Sequence, residues 1–201
     1  MTKILIKIFT FSLLITGFNT HAQLLDSAAL TKEPEYTDLA MALKNPDKVY
    51  KLNLRRKKLK EIPKEVFIFK NLQVLNLSKN KLKAIPADIG KLTNLQVLNV
   101  SANNIDTIPP EIGKLIHIKK LILNQNIIAH LPSTIGNLTQ MTFLDMWGNE
   151  IQEFPKEITK LKNTLKVVDL RVISIKEDKQ EDMVIQLPNT KIYFSTGCNC
   201  D

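Results

Sequence analysis

Five prolines constrain this chain more than any other feature. Pro63, Pro86, Pro109, Pro132 and Pro155 follow one another at intervals of 23 residues, and they are five of the nine prolines in the sequence. A fixed step of this length marks one structural unit copied along the chain, each copy depending on its neighbours for burial.

The apolar residues keep the same step. One unit reads Leu72, Leu75, Leu77, Asn80, Leu82, Ile85, Pro86, Ile89, Gly90 and Leu92, and Leu95 opens the next. The same phases recur through Leu115, through Leu138 and, starting from Met141, through Leu161. A degenerate unit starts at Val49, and a partial one at Leu165 after one inserted residue. Within a unit, Leu75 and Leu77 fall on one side of a short extended segment and Val74 and Asn76 on the other. A lone strand of this length cannot shelter its leucines. Stacked in parallel with its copies, it forms a sheet with a continuous apolar inner face. Six strands about 4.8 Å apart predict a sheet roughly 24 Å long.

The pattern LxxLxLxxNxLxxIPxxIGxLxx over residues 49–170 resembles the leucine-rich-repeat superfamily. It is most similar to the 23-residue type of the plant intracellular Ras-group-related repeat proteins. The resemblance implies an α/β right-handed solenoid with a concave parallel sheet. It also implies that Asn80, Asn103, Asn126 and Asn149 stack as a buried ladder that satisfies backbone groups where the chain leaves each strand. Proline fixes φ and lacks an N–H, so the outer arc should run extended and then form a short helical piece. Gly90, Gly113 and Gly136 are expected to permit a tight bend there.

A solenoid exposes its core at both ends unless capped. Tyr36, Leu39, Ala40 and Leu43 have helical spacing, which predicts an amphipathic capping helix over Glu35 to Lys44 within an N-terminal region 23–48. The C-terminal cap spans 171–201. Ser174 and Glu177 have capping-box spacing ahead of a polar helix carrying Met183, Val184 and Leu187, and Pro188 stops it. Lys191 to Ser195 alternates and predicts a last strand on the sheet.

Residues 1–22 have the layout of a secretory leader: Lys3 and Lys7, an apolar run from Ile8 to Phe18, then Thr20-His21-Ala22. An uncleaved anchor is the other reading, but the run is short for a bilayer span. Loss of the two lysines lowers the net charge of +8 to +6. That charge alone supports neither nucleic-acid binding nor a membrane role. Asn76-Leu77-Ser78 and Asn99-Val100-Ser101 would be glycan acceptors in a eukaryote and would obstruct the sheet, so a bacterial periplasmic or secreted protein is the simpler expectation. Cys198 and Cys200 are the only cysteines. They make no disulfide framework, and both unremarkable thiols and a local or intermolecular bridge fit them.

Motifs for chemistry are missing. The sequence has no Gly-x-Ser-x-Gly turn, phosphate-cradling glycine loop or His-Glu-x-x-His helix. His117 and His130 stand at different phases of the repeat without ligand partners, and Asp145, Glu153, Glu157 and Asp169 read as solvated carboxylates. No catalytic residue, metal site or cofactor is expected.

Recognition remains. The outward positions form three columns: Lys51, Val74, Val97, Lys120, Phe143, Val167; then Asn53, Asn76, Asn99, Ile122, Asp145, Asp169; then Arg55, Ser78, Ser101, Asn124, Trp147, Arg171. Val74, Val97, Lys120, Ile122, Phe143, Asp145 and Trp147 are the candidate contacts for a protein or peptide, because exposed aromatic and apolar side chains anchor interfaces. The bland alternative is that such residues merely suit strands. A basic run, Arg55, Arg56, Lys57 and Lys58, continues to Lys60 and Lys64. It reads either as a solvated rim or as a site for an anionic glycan or polymer.

Overall fold

The computed structural model describes residues 24–195. The leader-like segment and both cysteines lie outside the described residues. One eight-stranded parallel sheet runs in strict chain order: β1 (Glu35–Tyr36), β2 (Lys51–Asn53), β3 (Val74–Asn76), β4 (Val97–Asn99), β5 (Lys120–Ile122), β6 (Phe143–Asp145), β7 (Val167–Leu170) and β8 (Lys191–Phe194). Adjacent strands pair in register at the repeat positions, for example Val74 with Val97 and Leu75 with Leu98. The six repeat strands are flanked by one strand from each cap: β8, which the alternation of residues 191–195 predicts, and β1, which the sequence reading does not.

The leucines dictate this arrangement. Leu52, Leu75, Leu98, Leu121 and Leu144, one per strand, are all fully buried. Together with Leu77, Leu82, Ile89 and their counterparts they form one continuous core along the whole stack. Burying each such side chain contributes about 1.5–3 kcal/mol, which a three-residue strand could not obtain alone.

Each ladder proline is extended, as at Pro109 (φ −70°, ψ 149°), and starts a 3-10 turn. The carbonyl of the proline accepts the first bond of that turn, as Pro86 does from Ile89 N–H at 3.0 Å. The missing proline N–H is thus never needed. These turns, Lys64–Ile68, Ala87–Lys91, Pro110–Lys114, Ser133–Asn137 and Lys156–Leu161, stack on the outer arc. They occupy more room than strands, so the sheet lines the inner, concave side.

The expected role of the repeat glycines is corrected here. Gly90, Gly113 and Gly136 sit inside these turns, and none has a positive φ. They are required by close stacking. A Cβ on Gly113 would stand 2.6 Å from the Cβ of Thr134, and one on Gly136 would meet the carbonyl oxygen of Glu157.

Both caps differ in detail from expectation. Glu35 to Lys44 is not one helix: β1 pairs with β2, and helix α2 covers only Leu39–Ala42. The Asp38 carboxylate accepts from Met41 N–H at 2.9 Å and sets the start of α2. The open edge of β2 offers main-chain partners to Glu35 and Tyr36, and that outweighs helical spacing. An unforeseen helix, α1 (Ser27–Lys32), precedes them.

At the other end, helix α3 (Glu177–Gln186) has Lys176 at its N-cap with no side-chain capping bond. The Ser174–Glu177 capping box does not form. Ile173 and Ile175 are both buried, which keeps the chain extended past Ser174. Helix α3 then closes the core with Met183 and Leu187 and leaves Val184 and Ile185 exposed. The final strand, β8, adds to β7 as its alternation predicts.

Candidate functional site

Register fixes what the concave face displays. Lys51, Val74, Val97, Lys120, Phe143, Val167 and Lys191 form one column across β2 to β8, and Asn53, Asn76, Asn99, Ile122, Asp145, Asp169 and Tyr193 the next. Trp147 follows β6 and is half-buried.

The face is divided. Along its first half α1 lines, with Lys51, Val74, Val97 and Lys120, an open groove of about 350 Å³. Leu30 of α1 is buried there, apart from the main core. Val74 and Val97, expected to be open to a partner, line that groove together with Ser27, Leu30 and Thr31 of the chain's own helix. Ile122, Phe143, Asp145 and Trp147 lie beyond it, half-buried, with Lys120 exposed at the boundary.

Charges on the open half are arranged, not scattered. Asp145 accepts from the side-chain amide of Asn124 at 2.6 Å and from Trp147 N–H at 3.1 Å. Burial pushes its pKa above the ordinary carboxylate value in spite of these two bonds, and neighbouring Asp169 adds to the rise. Asp169 is itself paired with Arg171 through a 2.6 Å bond from Nη2, and that bond holds its carboxyl below the ordinary value. Lys191 Nζ stands 4.7 Å and Arg171 Cζ 5.6 Å from the centre of the Tyr193 ring. The open half thus carries Phe143, Trp147 and Tyr193 among two carboxylates and two cations.

The second column also has a structural task. Asn53, Asn76, Asn99, Asp145 and Asp169 each accept from the N–H two residues ahead, which fixes the exit from the strand. Among the six repeat strands, Ile122 alone lacks an acceptor for this turn.

The ladder asparagines Asn80, Asn103, Asn126 and Asn149 are all buried. Each Oδ1 accepts a backbone N–H of the preceding unit: Leu59, Leu82, Ile105 and Ile128 at 3.0–3.1 Å. The residue just before each ladder asparagine is left-handed: Lys79, Ala102, Gln125 and Gly148. In the basic run, Arg56 and Lys58 take the same conformation, each at φ 58°. Arg55, Arg56, Lys57 and Lys58 are all exposed, and none of them forms an ion pair with another of the described residues.

His117 Nδ1 lies 3.2 Å from the Gln140 amide, and His130 joins an outer bridge to Thr107. Among the described residues no group of His, Cys, Asp or Glu is placed to hold a metal ion, and no helix is long and apolar enough to cross a membrane. Two features of the face escaped sequence reasoning. Helix α1 lies outside the repeat, although Asp26, whose carboxylate caps it at Ala29 N–H (2.8 Å), was a usable signal. Tyr193 was assigned to the last strand but not to the face; the alternation of β8 would have put it there.

A leucine-rich-repeat family model matches residues 47–105 and 93–151, together more than half of the chain. The chain belongs to the leucine-rich-repeat family. Its fold is similar to that of a leucine-rich-repeat protein of Leptospira interrogans, at 31% identity and a TM-score of 0.65, over 82% of this chain and 53% of that one. It is also similar to the ectodomain of the Arabidopsis thaliana receptor kinase GASSHO1/SCHENGEN3, solved in complex with CASPARIAN STRIP INTEGRITY FACTOR 2, at 24% identity, a TM-score of 0.63, and 80% and 20% coverage. The PEPR1 structure with AtPEP1 follows at 16% identity, a TM-score of 0.58, and 79% and 26% coverage. The last two likenesses are of fold alone. This leucine-rich-repeat chain spans about half the length of the Leptospira protein and about a quarter or less of the two receptor chains. The search of curated proteins finds no match.

Proposed function

We propose that this leucine-rich-repeat chain is a non-enzymatic, exported interaction module that holds a protein or peptide on its concave sheet, in the half from Lys120 to Tyr193. The family and the sheet support a binding surface in general. The observation that carries the finer reading is the trio Phe143, Asp145 and Trp147, half-buried and outside the cover of α1. Rigid aromatic anchors are enriched at the centres of interfaces. Export to the periplasm or beyond is supported by the leader-like character of residues 1–22.

The test is capture of ligands by the domain from its own culture, with Phe143→Ala and Trp147→Ala run beside the parent. A ligand of this face loses roughly 30-fold or more in affinity on loss of either anchor. Unchanged affinity in both variants overturns the reading. The other site weighed, an anionic glycan or polymer on Arg55–Lys58, predicts binding that falls steeply with salt, and a flat salt response removes it.

A further inference from the structure

Leu25 is held by its main chain. Its N–H donates to Gln73 Oε1 at 3.0 Å, and its carbonyl accepts from Gln96 Nε2 at 2.8 Å. The two glutamines, one repeat apart, are joined by a 2.6 Å bond from Gln96 Nε2 to Gln73 Oε1. They are 1% and 4% exposed. Their counterparts in later turns, Lys119, Thr142 and Lys166, are half-buried or exposed, so the column is buried only where the N-terminal segment lies on it. Two amides that satisfy both polar groups of one residue recognise a peptide unit whatever its side chain.

Beyond this clamp the segment is lightly attached. Leu30 is the one buried residue of α1 and stands apart from the core cluster. Lys51 Nζ donates to the carbonyl of Thr31 at 3.3 Å. A six-residue helix has no stability of its own, so its order comes from the groove beneath it.

We propose that the first half of the concave face is a peptide-binding groove with a main-chain clamp, Gln73 with Gln96, and that its resident occupant is the chain's own Leu25–Lys32. The occupant is tied to β1 by only Glu33 and Pro34, so its effective concentration at the groove is in the millimolar range and it excludes free peptides. A peptide that takes the clamp must displace it, and Ser27, Leu30 and Thr31 wall the groove that Val74 and Val97 line. This does not depend on the reading of the open half, whose anchors Phe143 and Trp147 are not part of the groove.

The test uses the full chain. Leu25→Pro removes the clamped N–H, and Leu30→Asp removes the apolar anchor. A fluorescent peptide of residues 24–33 (LLDSAALTKE) is titrated into parent and double variant and followed by anisotropy. The expected result is binding to the double variant at least tenfold tighter than to the parent. Adding Gln73→Leu and Gln96→Leu should then weaken it roughly tenfold. Failure of the peptide to bind a double variant whose Trp147 fluorescence and circular dichroism match the parent overturns the proposal. Loss of folding in the double variant also overturns it, because the segment would then be an obligatory cap.

Discussion

The side-chain amide of Asn103 reaches back one full turn to the carbonyl oxygen of Leu77, 3.1 Å away. The same amide donates to Val100 at 2.8 Å, and its oxygen accepts from Leu82 N–H at 3.0 Å. One buried side chain therefore serves backbone groups of two successive units. Asn103→Ala leaves a buried N–H and two carbonyls short of partners and should cost about 2–4 kcal/mol, read as a shift of the urea midpoint. Asn103→Asp keeps the acceptor but cannot donate when ionised. At neutral pH it should be no more stable than the alanine variant.

The repeat glycines give a graded expectation. A Cβ on Gly90 would stand 3.0 Å from Lys114 Cδ and 3.2 Å from the Glu111 carbonyl oxygen, whereas one on Gly113 or Gly136 would stand 2.7 Å and 2.3 Å from the carbonyl oxygen of the next turn. Gly90→Ala should change the thermal midpoint little. Gly113→Ala and Gly136→Ala should each destabilise by about 1–3 kcal/mol. Equal effects at all three positions would contradict close stacking as the reason for glycine.

Residues on the two sides of one strand should separate stability from binding. Leu144 is fully buried, while its neighbour Phe143 is only half-buried on the concave face. Leu144→Ala should cost about 2–5 kcal/mol of stability. Phe143→Ala should cost clearly less than Leu144→Ala while lowering partner affinity. Chemical denaturation and titration calorimetry of the same two variants measure both.

The two face carboxylates should titrate in opposite senses. Asp169 has its pKa lowered by Arg171, so its contribution to stability is fully present above the unfolded value and is lost as pH falls through the folded pKa. Asp145 has its pKa raised by burial, so its charge opposes folding above that pKa and the penalty lifts as pH falls. Carboxyl-detected NMR titration should find Asp145 protonating before Asp169 on acidification. In Arg171→Ala the Asp169 titration should move upward, toward that of an ordinary aspartate.

Much of the fold was legible because its grammar is local and repeated. Leu75, Asn80 and Pro86 each perform at one phase a task that recurs 23 residues later, so a single sequence holds several independent copies of the evidence. The columns followed, since alternation in one strand plus a fixed step places Val97 beside Val74 and Asp145 beside Ile122. The caps were less legible. Tyr36 and Ser174 occur once, and their states depend on which edge or core surface lies nearby.

The sequence by itself determined the periodic part: a parallel stack, its buried leucines and ladder asparagines, and the list of side chains on the inner face. Only the tertiary structure decided how that face is shared. Clamping Leu25 to Gln73 and Gln96 joins residues 48 and 71 positions apart, a contact that obeys no period and leaves no trace in composition. Setting Leu30 as a wall of the groove that Val74 and Val97 line divides a surface that looked continuous into a half shared with α1 and an open one. Periodicity reports what each turn must do for its neighbour. A segment outside the repeat finds its place by surface complementarity, which exists only once the turns have stacked.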